Sequence, residues 1–158
     1  MSDAAATITS YLDERDIRYE RVSDSDWAIQ LRGEKKLSIT VLFALRERTL
    51  QVESFFIRRP AENHADLYRL LLRTNVRIYG VRFALDDIGD VYLVGRFPVE
   101  SVTDEELDRV LGAIFSVSDE LFMPAIEIGF ESYLKRDMAW RAAQGIPDGV
   151  PRATISPK

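Results

Sequence analysis

The chain has 158 residues, 46% hydrophobic and 30% charged, with a net charge of −5, a size and composition that suit one domain whose core needs no disulfide or structural metal. It has no Cys and a single His, His64, which excludes thiol nucleophiles, thiolate zinc sites, iron–sulfur clusters and multi-histidine metal sites. No window approaches the ~20 apolar residues of a membrane span, and Met1 to Thr9 lacks the charged start and long apolar run of a signal peptide, so a cytoplasmic location is expected.

From Ser2 to Arg15 the sequence is Ala-rich, with Ile8, Tyr11 and Leu12 at i, i+3, i+4 spacing, which predicts a short amphipathic helix. The period then changes to two. Ile17 and Tyr19, then Trp27, Ile29 and Leu31, then Leu37 through Leu45, then Leu50 through Phe56 predict strands of an antiparallel sheet. Gly33-Glu34 and Arg46 to Thr49 supply turns. Pro60 ends the last of these strands, and Ala61 to Thr74 reads as a helix, begun by Asn63 or by the Pro60 turn, with Leu67, Leu70, Leu71 and Tyr68 inward. Val76–Leu85 and Val91–Phe97 are expected as a hairpin around the turn Asp86 to Asp90. Thr103 with Glu106 makes a capping box that starts a helix. Pro124 suits only a first turn, so a break is expected near Ser118 to Pro124, with a new helix onward to about Arg141. Residues 1–144 read as one α+β domain and 145–158, with Pro147, Gly149, Pro151 and Pro157, as a flexible tail.

Charge is polarised along the chain. Residues 28–59 hold seven basic and three acidic side chains, and 100–131 hold one and nine. The basic residues Arg32, Lys35, Lys36, Arg46, Arg48, Arg58 and Arg59 are mixed with Glu34, Glu47 and Glu53, so solvated sheet edges explain them better than a nucleic-acid footprint. Asp86, Asp87 and Asp90 lack calcium-loop spacing and read as a solvated hairpin turn. Glu100 to Asp108 match the capping and dipole demands of a helix start rather than an acid pair for hydrolysis. Nucleophile elbows, Walker loops and dinucleotide fingerprints are absent, so no catalytic residues and no cofactor are assigned. Phe55-Phe56 and Leu42-Phe43 put apolar groups on both sheet faces, which predicts self-association as a homodimer.

Arg58-Arg59-Pro60, Glu62-Asn63-His64, Tyr68, Leu71-Leu72, Tyr79-Gly80-Val81, Gly89-Asp90-Val91-Tyr92-Leu93-Val94-Gly95-Arg96, Thr103, Leu107-Asp108 and Glu127-Ile128-Gly129-Phe130 together resemble the YbjN family of bacterial sensory transduction regulators, in its actinobacterial branch. The chain departs from that pattern at Phe122-Met123-Pro124. The resemblance implies a fold similar to type III secretion chaperones, a curved, mainly antiparallel sheet with helices packed on one face, and brings no catalytic set with it. It points to a non-enzymatic module that binds a protein partner, with Arg58, Arg59, His64 and Tyr79 as candidate contact residues. The alternative is a sensor of a small anion or nucleotide at the same residues, the third a nucleic-acid-associated regulator.

Overall fold

Apolar residues that recur every second position can all be buried on one face of a pleated sheet, and residues 27–31, 39–45 and 50–56 use that period. A computed structural model describes residues 2–145. Its elements run α1 (Ser2–Glu14), β1 (Arg18–Ser23), β2 (Asp26–Leu31), β3 (Ile39–Leu45), β4 (Thr49–Ile57), α2 (His64–Asn75), β5 (Arg82–Leu85), β6 (Val91–Pro98), a single 3-10 turn at Val99–Ser101, α3 (Asp104–Gly129) and α4 (Glu131–Gln144).

The six strands form one open antiparallel sheet in the order β1-β2-β3-β4-β6-β5, so β1 and β5 are its edges. Register places Trp27 opposite Phe43 and Phe43 opposite Val52, all buried on the helix-covered face. Ala28, Leu42, Glu53, Val94 and Arg82 follow one another across the other face. Register shifts at Arg21/Ser23 and Phe55/Ile57 are bulges, which bend the sheet.

The long helix α3 contacts α1, α2, α4 and β4. The Trp27 indole N–H donates to Thr9 Oγ1 at 3.2 Å, and the Tyr11 hydroxyl donates to Asp108 Oδ1 at 2.9 Å. These two bonds tie α1 to β2 and to α3. One apolar cluster, from Ala4 to Phe130, fills the space between helices and sheet. Helix α4 buries none of its residues, and among the helices its main contact is α3.

Three boundaries differ from the sequence expectation. Helix α2 begins at His64, with Asn63 as its N-cap residue, so of the two expected starts the Asn63 one holds and Ala61–Asn63 stay outside the helix; Asn63 takes a left-handed φ of 55° and turns its amide away from the helix end. Residues 76–81 are no strand. Val76 closes α2, and Gly80 has a φ of 74° that a β-branched or bulky residue adopts poorly, so pairing begins only at Arg82. Helix α3 also runs through Pro124 to Gly129 without the expected break. Pro124 and Glu120 are both exposed, so the Glu120 carbonyl that loses its helical N–H partner lies on the solvent side and is not buried unsatisfied. The expected tail, apart from Gly145, falls on 146–158, outside the described residues.

Candidate protein-binding surface

The four candidate residues lie at separate places. Arg58 sets its guanidinium 5.5 Å from the Phe130 ring centre. Arg59 runs along the β5–β6 turn, where a Cβ on Gly89 would sit 3.1 Å from its Cγ, and its backbone N–H donates to Asp90 Oδ1 at 2.7 Å. His64 opens α2, edge-on to Tyr68 at 5.9 Å. Tyr79 follows the opposite end of that helix, about 16 Å away along its axis. Its hydroxyl donates to Glu106 Oε2, which raises the phenol pKa, and Arg109 lies 6.0 Å from its ring centre. A single Arg58, Arg59, His64 and Tyr79 cluster is therefore not formed.

The residues that carry the family resemblance instead hold the fold. The N–H groups of Ala61 and Glu62 both donate to the Gly129 carbonyl, at 2.9 and 3.2 Å. The Asn63 amide donates to the Ile128 carbonyl and to Glu131 Oε2, at 2.9 and 3.2 Å. Glu62 accepts from the Ser132 N–H and hydroxyl at 3.0 and 2.6 Å, which lowers its pKa and caps the start of α4 with an internal carboxylate. Gly129 permits this closeness, since a Cβ there would lie 3.0 Å from Pro60 Cβ. The β4–α2 loop thus latches the α3–α4 corner. Negative charge at this junction comes from Glu62 and Glu131 of the chain itself, which weakens it as an anion site. Gly95 and Gly80 meet in the same manner, a Cβ on Gly95 falling 2.8 Å from the Gly80 carbonyl oxygen.

Two polar groups read as solvated are buried. Asp90, 3% exposed, is the acceptor for Arg59, while Asp86 Oδ1 accepts from the N–H groups of Ile88 and Asp90. The acidic turn is a set of staples. Lys36 is also 3% exposed. Its ammonium donates to the Ser38 carbonyl at 2.9 Å and lies 5.6 and 5.8 Å from the ring centres of Phe122 and Phe55. No carboxylate pairs with it among the described residues, and burial lowers its pKa to about 8. The backbone N–H groups of Lys35 and Lys36 both donate to Asp119 Oδ1, which fixes the loop against α3.

Apolar chemistry without a covering partner collects at α2 and β5. Tyr68, Leu71, Leu72, Phe83, Ala84 and Leu85 line an open groove of about 200 Å³. Leu72 is 66% exposed and Leu85 48%, and beyond them Val76 and Ile88 are 86% and 58% exposed. Tyr68, Leu72 and Val76 recur every four residues, so they form one row along α2, while Leu67, Leu71 and Thr74 form the buried row beside it. Large apolar groups this exposed and this close together mark interaction surfaces. Of the four candidate residues, His64 reaches this groove through its edge-on contact with Tyr68.

A family model described as "Putative bacterial sensory transduction regulator", YbjN, matches residues 4–127. An uncharacterized protein of Mycobacterium tuberculosis is 44% identical over 117 residues, 74% of this chain and 64% of its own. One of Mycobacterium leprae is 38% identical over the same shares. The chain therefore matches under two thirds of the length of these relatives. A chain from the heterodimeric ExoU–SpcU complex of the Pseudomonas aeruginosa type III secretion system superposes with a TM-score of 0.55 and 16% identity, over 75% of this chain and 96% of that one. At that identity the likeness is one of fold.

Proposed function

The chain belongs to the YbjN family, and from that premise we propose that it is a non-catalytic module that regulates a partner protein by binding it through the groove between α2 and β5. The observation that carries this reading is the exposed apolar row Leu72 and Val76 beside Leu85, next to an open apolar groove. The heterodimer that contains the structural neighbour supports the same class of role. Among the described residues no helix is long and apolar enough to cross a membrane and no group of His, Asp and Glu is placed to hold a metal. A cytoplasmic module and a homodimer, paired through the half-buried Leu42, Phe55 and Val94 of the uncovered sheet face, complete the proposal. The reading as a sensor of anions or nucleotides is weaker, because Glu62 and Glu131 place negative charge at the latch itself.

A pull-down from a lysate of the native host tests the main claim. The wild-type chain is expected to retain a partner that a Leu72→Asp, Val76→Asp double variant loses. Both sites are exposed, so the variant keeps its fold, which its circular dichroism checks. Equal retention by the two proteins rejects the groove; loss on Arg58→Ala, Arg59→Ala instead moves the contact to the latch.

A further inference from the structure

The groove also constrains what fills it. β5 is an edge strand, and edge strands recruit partners through free backbone groups. That route is closed at its centre. The Phe83 N–H donates to Asn75 Oδ1 at 2.8 Å, and the Asn75 amide donates back to the Phe83 carbonyl at 3.5 Å. One side chain of α2 thus takes the place of an added strand. Peptide groups alternate in direction along a strand, so the next outward pair belongs to Leu85, at the strand's end. An occupant that receives almost no backbone hydrogen bonds must satisfy its own, and a helix does so.

Charge beside the groove is also specific. Around α2, Arg69 and Arg73 follow the exposed row Tyr68, Leu72 and Val76 on the side away from β5. Neither has an ion-pair partner among the described residues, whereas Arg77 is paired with Glu120 at 3.0 Å. Asp66 is the one acidic side chain that lines the surface with them. At the far end of the groove, the Asp86 carboxylate is already bound to its own turn.

Resting on the reading of the groove as a partner site, we propose that its occupant is an amphipathic helix of a partner protein, with an apolar stripe against Leu72, Val76 and Leu85 and an acidic flank against Arg69 and Arg73. Apolar anchors fill the pocket, and the arginines fix the direction and side of the helix.

Selection of a displayed library of short random peptides against the full chain, with the Leu72→Asp, Val76→Asp variant as counter-target, tests this. Enriched sequences are expected to carry apolar residues at i, i+3/i+4 spacing and net negative charge. One such peptide, labelled, should bind an Arg69→Glu, Arg73→Glu variant about tenfold more weakly than wild type. Sequences with period-two apolar patterns, or with basic flanks, that still require Leu72 and Val76 overturn the acidic helix and leave the groove standing. An unchanged affinity on charge reversal does the same. Failure to enrich any peptide over the counter-target overturns the groove itself, and the occupant with it.

Discussion

A lysine ammonium placed between two aromatic rings and one carbonyl, with no carboxylate, is charged at some cost to the fold. For Lys36 the direction is set by burial, which lowers its pKa from 10.5 to about 8. The unfolded chain holds this proton up to about pH 10.5, while the folded chain releases it near pH 8. Between those values the unfolded state binds more protons, so this group makes folding more favourable as pH rises through the window. Below pH 8 the penalty is fully present. A Lys36→Met variant, which fills the same space without charge, is expected to be more stable than wild type at pH 7. Its advantage should shrink by up to about 3 kcal/mol by pH 10.5. Denaturant melts of both proteins across that range measure the difference, and a pH-independent gap contradicts the assignment. Nothing in the local sequence Glu34-Lys35-Lys36 separates the buried lysine from its exposed neighbour. The distinction arises from Asp119, which lies 83 residues away from Lys36 and holds the loop against α3.

Elements whose period matches their burial were legible from sequence. Trp27-Ile29, Val41-Phe43 and Leu50-Val52 alternate in sequence and are buried in register. Thr103 starts α3 as its spacing to Glu106 requires, the Glu106 N–H donating to Thr103 Oγ1 at 3.1 Å. Illegible elements depended on distant partners. Val76 to Val81 has strand-like residues, yet Asn75 engages Phe83 across the turn and Gly80 presses on Gly95, which leaves that stretch a connector. The groove is not legible for a related reason: the spacing of Leu67, Leu70 and Leu71 marks the inward row of α2, but only the packed fold places the exposed Leu72 and Val76 beside Leu85 of another element. The break expected at Pro124 does not form because the proline is exposed. Since its missing bond is on the solvent side, Pro124→Ala should restore helical hydrogen bonding to Glu120 and raise stability by about 1 kcal/mol, part of the intrinsic penalty of proline in a helix. Thermal melts measure this, and a lowered midpoint contradicts it.

At the scale of the molecule, the helices cover one sheet face, and the other is left with half-buried Leu42, Phe55 and Val94 beside Glu53 and Arg96. Pairing of two copies through that face predicts a mass in light scattering near twice the 18.1 kDa of the chain, and a strict monomer at high concentration contradicts it. The groove at α2 and β5 lies off that face, on the helix side of an edge strand, so a dimer would present two grooves to partners. Contact at the groove is the central claim, and crosslinking in the native host tests it most directly. A photoreactive amino acid is placed at position 72 in one protein and at position 20, on the exposed and charged β1 edge, in another. A discrete adduct with a partner protein at position 72, absent at position 20, is the expected result. No adduct at 72, or the same ladder from both positions, would contradict the account.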